Sequence, residues 1–454
     1  MKTAGYWISR HPSPDEIVMP PEEIQAFNAA IREQKLTRDI FKPETFLPNF
    51  SAAKTFGETA RKLQSEKYFI ELPLPPPRLP DGQISKRGGP RGRSKTAGSN
   101  FFEPLLQNMN THETFAPQYG LIVHFTDERM LPTDDGLYES PGDVQFDQLQ
   151  NSGLDIGTPI LIVHRSQDQK WIYEINELTE GWIHVENVAV ADKATVETFA
   201  SSADFVVATI AKADLFSDSG RRTRLGSIRM GARLPLLELP LPPLSQRGGK
   251  SSRETIPPLY LKEGVRGSSS ITVQYPSRNE SGRLVLQSGF MNDDEIHKDY
   301  LPYNARTIYH QAFAMLNQPY GWGGYQGEQD CSRFLQEVFA VVGVRLPRNS
   351  KEQAQTGQPA AVFDDKTTDS QKREAFQTLA DGIHILTLKG HIMLYLENVD
   401  GRPYAIHAIY AYRERGDIAR VINRVAVTDL DIGEESKKGS LLRRLTGIRK
   451  IDDK

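Results

Sequence analysis

Cys331 is the only cysteine in the 454 residues, and among the histidines that follow it are His391 and His407. These side-chain types suit nucleophilic chemistry: a thiol attacks a carbonyl once a base takes its proton, and imidazole is the base suited to neutral pH. Cys331 lies in Asp330-Cys331-Ser332-Arg333-Phe334, behind the glycine-rich stretch Tyr320-Gly321-Trp322-Gly323-Gly324. Phe334, Leu335, Val338, Phe339, Val341 and Val342 recur at helical spacing up to Gly343, which predicts a buried helix starting at the cysteine. There the first-turn N–H groups and the helix dipole favour negative charge, so the thiol pKa is expected to be lowered. Such a thiol should react fast with iodoacetamide near about pH 6. A lone cysteine is often only a small buried apolar residue. Its polar neighbours and the two later histidines favour the nucleophile.

His391-Ile392-Met393-Leu394-Tyr395-Leu396 and Tyr404-Ala405-Ile406-His407-Ala408-Ile409-Tyr410 are strand-like, and Asn398-Val399-Asp400-Gly401 between them is a turn signal. A hairpin centred near residue 399 makes His391 and His407 directly opposed, with Cβ atoms about 4.5–5.5 Å apart. One imidazole can then orient the other. A helix carrying a cysteine, packed on a sheet carrying a base and its orienter, is the arrangement of a papain-like hydrolase. Metal binding by the same two histidines is the competing use, and it needs a further ligand that the thiol could supply. His384 reads as structural.

The elements that must position these groups belong to a long chain. At 454 residues a single core is improbable. A net charge of −3 argues against a molecule built as a whole for nucleic acid. One cysteine excludes internal disulfides and a Cys-rich metal cage, and no cofactor is expected. No apolar run approaches the roughly 18–20 residues of a membrane span, and Met1 to Arg10 lacks the apolar core of a secretory signal. Pro20-Pro21-Glu22-Glu23 predicts a helix start, with Ile24, Phe27 and Ile31 on one apolar face.

Glu71-Leu72-Pro73-Leu74-Pro75-Pro76, leading to Arg87-Gly88-Gly89, is echoed by Glu238-Leu239-Pro240-Leu241-Pro242-Pro243, leading to Arg247-Gly248-Gly249. Such composition cannot bury much apolar surface, so both copies are expected to be mobile surface insertions. Residues 112–196 contain the β-rich runs Leu121-Ile122-Val123, Ile160-Leu161-Ile162-Val163, Trp171-Ile172-Tyr173 and Trp182-Ile183-His184-Val185, an order that resembles a bacterial SH3-type barrel. Residues 204 to about 290 repeat the theme more weakly. His124, His164 and His184 are expected on strands of the first barrel, with no metal-ligand spacing.

Pro319 through Gly324, Asp330-Cys331-Ser332, Leu346-Pro347-Arg348-Asn349-Ser350, Gly390-His391 and Ile406-His407 together resemble the NlpC-type cell-wall cysteine peptidases. The wider layout resembles that family's γ-D-glutamyl-L-diamino acid endopeptidases with two bacterial SH3-like domains. The resemblance implies a multidomain α+β protein: an N-terminal helical clip over 1–110 with an insertion near 72–100, a first SH3-like barrel over 111–197, a second over 198–295 with an insertion near 238–255, and a papain-like α+β peptidase domain over 296–454. It implies Cys331 as nucleophile, His391 as base and His407 as orienter, with the Cys331 N–H helping to hold the oxyanion. It assigns Asp330 to the free amino group of an N-terminal L-Ala, with Tyr320, Ser332 and Ser350 lining that pocket. A first-barrel residue, Tyr138 or one within Arg129–Thr133, is expected to close it. Arg333 departs from the family's usual glycine, and its expected effect is on packing near the mouth. The substrate implied is a cell-wall muropeptide cut at the γ-D-glutamyl-diaminopimelate bond, by a monomer in the periplasm or cell envelope, or alternatively in the cytoplasm. An N-acetylmuramoyl-L-alanine amidase, another acyl-transfer enzyme on this fold, and a non-catalytic peptidoglycan-binding protein are the other readings.

Overall fold

Asp330 starts the helix that carries the cysteine. In this computed structural model, which describes residues 1–72, 93–112, 115–237 and 270–452, its Oδ1 accepts the Arg333 N–H at 2.8 Å and the helix runs Cys331–Ala340. Phe334, Leu335, Val338 and Phe339 are fully buried. Each contributes at most about 2–3 kcal/mol of apolar burial. The helix packs on an antiparallel six-stranded sheet in the order Gln358–Val362, Leu445–Lys450, His384–Leu388, His391–Val399, Arg402–Arg413, Ala419–Asp429.

The hairpin register differs from the expected one. The turn is Asp400-Gly401, both at positive φ, and a bulge lies between Tyr395 and Glu397. Leu394 pairs with Ile406, so His407 falls beside position 393 and His391 is its diagonal neighbour on the same face. Diagonal side chains still meet when they are as long as imidazoles.

The first barrel is an antiparallel sheet of seven strands: Gln150–Leu154, Thr126–Arg129, Glu180–His184, Trp171–Ile175, Pro159–Arg165, Gln118–Ile122 and Val188–Ala191. The runs rich in Ile, Val and Trp form strands where expected. Thr126–Arg129 and Gln150–Leu154 are too polar to read as strands, and their pairing with each other and with Glu180–His184 decides them. His124 sits in a bend rather than on a strand. His164 is buried and donates to the Met109 carbonyl at 2.8 Å, and His184 stacks on Trp171 and bonds Asp134. Two smaller antiparallel sheets follow. One joins Arg233–Pro235, Phe205–Ala208 and Ile296–Lys298; the other joins Arg224–Arg229, Lys212–Phe216, Leu284–Asn292 and Ser270–Arg278.

The insertion expected near 238–255 lies outside the described residues, as does 73–92 of the one expected near 72–100. The flanks of the latter are regular structure: Phe69–Leu72 pairs antiparallel with Arg93–Thr96, and Ser99–Asn108 is a helix. The N-terminal region divides between two cores. Trp7 and the predicted face Ile24, Phe27 and Ile31 of the Pro21–Glu33 helix pack with the cysteine helix, while Phe56, Leu63, Phe102 and Met109 pack with the first barrel.

Arg333 is not at the mouth. It is buried where the cysteine helix meets the first barrel and the β unit after it, 3.1 Å from Asp155 beyond a first-barrel strand and 2.8 Å from Glu337 on its own helix. Arg229, at the end of a strand in the following β unit, bonds the same Asp155 at 2.9 Å and lies 3.6 Å from Glu337. Two cations and two anions cancel, which makes their removal from water tolerable and locks the barrels onto the back of the cysteine helix.

Candidate active site

The cysteine opens into a cleft of about 770 Å³ between its own sheet and the first barrel. Cys331, His391, Tyr320, Asp330, Ser332 and Ser350 all line it. His407 does not: it is fully buried behind His391. Tyr138 is also absent from the lining; its N–H and carbonyl pair with the backbone of Phe69. Within the expected Arg129–Thr133 segment it is Met130 that reaches the cleft, while Arg129 turns inward to Asp147 at 2.7 Å. His384 is buried, edge-on to Tyr395, and outside the lining.

The glycine-rich loop seats the helix start against the barrel. Gly323, at φ +63°, lies so close to Gln150 that a Cβ would meet its Cγ at 2.7 Å, and the Trp322 indole donates to the Asp147 carbonyl at 3.1 Å. A larger residue at 323 would push this wall away from Cys331.

His391 Nε2 lies 2.7 Å from His407 Nδ1, and His407 Nε2 lies 3.0 Å from Thr428 Oγ1 on the next strand. Thr428 had no signal in the sequence, since it is brought in by strand pairing alone. If His407 Nε2–H donates to Thr428, its Nδ1 accepts from His391 Nε2–H, and His391 Nδ1 is left bare as a base. The same contact ties up two of the four ring nitrogens between the rings. Among the described residues no group of three His, Cys, Asp or Glu is gathered that could hold a metal ion.

The thiol does not follow the helix-terminus expectation. Burial pushes Cys331 up to about 12, with the Asp330 charge adding to it; the Ile392 and Ser332 N–H groups and Arg348 pull the other way and lose. Burial holds His391 down to about 4, with Arg444 adding to that and Asp330 opposing. His407 is held well below its ordinary value by burial and then by His391. The resting groups are therefore a thiol and neutral imidazoles, and alkylation near about pH 6 should be slow rather than fast.

Asp330 is paired. Arg348 Nη2 bonds its Oδ2 at 2.8 Å, Nη1 bonds Oδ1 at 3.3 Å and Ser332 Oγ at 3.1 Å, and Nε reaches Ser152 of the first barrel at 3.1 Å. Ser332 Oγ also donates to Asp330 Oδ1 at 3.0 Å. Burial alone would raise the Asp330 pKa, but Arg348 and these donors hold it below the usual carboxylate range. The position assigned to a substrate ammonium thus carries a carboxylate already neutralised by a guanidinium.

Three further groups complete the walls. Phe146 of the first barrel meets Tyr410 edge-on at 4.8 Å and Trp322 at 5.3 Å, making an aromatic corner beside Tyr320. Arg38 of the N-terminal region pairs with Glu180 of the barrel at 2.8 Å. Arg444 lines the cleft beside His391. Phe146 and Tyr410 carried no site signal in the sequence, because each reaches the Tyr320–Trp322 loop from a different element.

Residues 317–410 match the NlpC/P60 family, and residues 137–184 match the SH3 domain of SH3b1 type. The chain carries both domains. No curated protein matches it in sequence. Among solved structures, an NlpC/P60 endopeptidase from Photobacterium damselae subsp. piscicida superposes with a TM-score of 0.70 at 18% identity, over 100% of this chain and 98% of that one. That likeness establishes a shared fold along the whole chain. An NlpC/P60 family protein from Bacillus cereus aligns over 74% of this chain and 100% of its own, at 16% identity and a TM-score of 0.46.

Proposed function

We propose that this chain is a cysteine endopeptidase hydrolysing the γ-D-glutamyl-L-diamino acid bond of bacterial cell-wall peptides. The observation that carries the reading is the hydrogen-bonded His391–His407 pair lining and backing a cleft that opens on Cys331. The Cys331 sulfur attacks the γ-carbonyl of D-Glu while its proton passes to His391 Nδ1. Because the resting pair is neutral, proton transfer accompanies attack rather than preceding it. The Cys331 N–H, at the head of its helix, faces the developing oxyanion. The imidazolium then gives its proton to the leaving amine, which departs and leaves a thioester. A water, deprotonated by His391, attacks the thioester; the free acid is released and the thiol regains its proton. His407 keeps His391 oriented, and Thr428 keeps His407 in the accepting tautomer.

In this reading the four regions inferred from the sequence work as one unit. The first barrel and the N-terminal region wall the cleft, so only short, thin peptides enter. Selectivity for a free L-Ala terminus then rests on that enclosure and on Tyr320, Ser332 and Ser350 more than on charge, because Arg348 cancels Asp330. Such a substrate places the protein at the cell envelope or in recycling of its fragments.

Mass analysis of the products from L-Ala-γ-D-Glu-diaminopimelate tests the bond. Release of L-Ala-γ-D-Glu is expected, and Cys331→Ala should lower its rate by at least about 10⁴-fold. Cleavage only between muramic acid and L-Ala in intact muropeptides would replace this reading with an amidase. Full activity in Cys331→Ala would remove the nucleophile. The N-acetylated tripeptide should be cut more slowly than the free-amine form.

A further inference from the structure

Three arginines line the cleft, and two of them are matched by a carboxylate on the protein. Arg38 is held by Glu180 and Arg348 by Asp330. The third, Arg444, is half-buried, and among the described residues no side chain hydrogen-bonds or ion-pairs its guanidinium. A guanidinium stays protonated even when partly desolvated, so this is a standing positive charge without a counter-ion. Its charge is felt at His391. Beyond it the cleft continues into a recess of about 160 Å³, where Arg413 and Lys438 add two more cations and no Asp or Glu lines the wall.

The side on which Arg444 stands is informative. In acyl transfer by a cysteine–histidine pair, the histidine hands its proton to the leaving amine. The leaving residue must therefore lie on the His391 side of Cys331, which is the side of Arg444. A carboxylate on that residue is the ligand that an unpaired, partly desolvated guanidinium fits best.

We propose that Arg444 binds a carboxylate of the leaving diamino acid, and that the enzyme uses this contact to select its third residue. This rests on the bond assignment above. Diaminopimelate offers two such groups, the α-carboxylate and the one at the end of its side chain, whereas lysine offers only the first. The side recess, with its cations and its lack of acids, is placed to take the side-chain group.

Two measurements test this, and the first does not depend on turnover. Alkylation of Cys331 by iodoacetate and by iodoacetamide is followed by mass at about pH 8, where both reagents meet the same thiol. With Arg444 intact the anionic reagent should be favoured. In Arg444→Gln the iodoacetate-to-iodoacetamide rate ratio should fall about 10-fold, and Arg444→Lys should restore much of it. An unchanged ratio overturns the anion site. The second measurement compares L-Ala-γ-D-Glu tripeptides ending in diaminopimelate, in lysine, and in lysine α-carboxamide. Loss of the recognised carboxylate should cost the wild type about 10- to 100-fold in kcat/KM, and Arg444→Gln should flatten that preference. A drop between diaminopimelate and lysine identifies the side-chain group, and a drop between lysine and its amide identifies the α-carboxylate. A preference that persists in Arg444→Gln overturns the selection. If the wild type cuts none of the tripeptides while the alkylation ratio still responds, the bond assignment fails and the anion site stands.

Discussion

Arg348 and Arg444 both face the cleft, one on the helix side of Cys331 and one on the histidine side, yet their charges have different uses. Arg348 is buried, reaches Asp330 through both terminal nitrogens, and ties that pair to Ser332 and to Ser152 of the barrel. It is part of the framework. Arg444 has no such partner among the described residues and points its field at His391. A charge that is already satisfied holds structure in place, and one that is not is available to a ligand. The contrast also explains why Asp330, the most conspicuous acid beside the nucleophile, is a weaker amine receptor than its position suggests.

The comparison breaks most visibly in stability. Arg348→Met strands the buried Asp330 carboxylate and should destabilise the fold by about 3–5 kcal/mol, seen as a lower thermal midpoint. Adding Asp330→Asn should recover much of that loss, because the uncompensated charge is then gone. Arg444→Met should stay within about 0.5 kcal/mol of the parent. Similar melting shifts for both single variants would erase the distinction between framework and ligand-binding cation.

A middle-sized effect comes from Thr428. Thr428→Val removes the acceptor of His407 Nε2–H and frees His407 to adopt the tautomer that blocks His391 as a base. A fall of about 2- to 10-fold in kcat, with KM little changed, is expected. An unchanged kcat would mean that His407 is oriented without Thr428.

The smallest effect is in the pH profile. The working form of His391 is the neutral imidazole, so activity is present above its pKa and is lost as pH falls through about 4. The charged and titratable groups around it are Arg444, Asp330, His407 and Cys331. Arg444→Gln removes a cation that disfavours protonation, so the acid limb of kcat/KM should move to higher pH. Arg348→Met should move that limb mainly through Asp330, whose freed negative charge favours protonation of His391. A limb that does not move in Arg444→Gln would place the guanidinium too far away to act on the histidine.

Much of the site was legible along the chain. Cysteine at the head of an apolar helix, two histidines in strand-like runs about a turn, and a Pro20-Pro21-Glu22-Glu23 helix start depend on local periodicity and on residue chemistry, and neighbours in sequence decide both. The hairpin register was less so. One bulge between Tyr395 and Glu397 and a turn at Asp400-Gly401 turned a direct histidine pair into a diagonal one, although the 2.7 Å contact between the rings persisted. Arg333 read as a residue of the mouth because its helix position was known and its partners Asp155 and Arg229 were not.

What the sequence by itself determined is the set of reactive groups and the elements that carry them. Only the tertiary structure decided which of their charges are available. Whether Asp330 greets a substrate or holds Arg348, whether Cys331 rests as thiolate or thiol, and whether Arg444 stands alone depend on the opposite charges brought within a few ångströms and on the water displaced in doing so. Those are contacts between residues far apart in the chain, and the strength of a charge in a protein is set by them rather than by its neighbours in sequence.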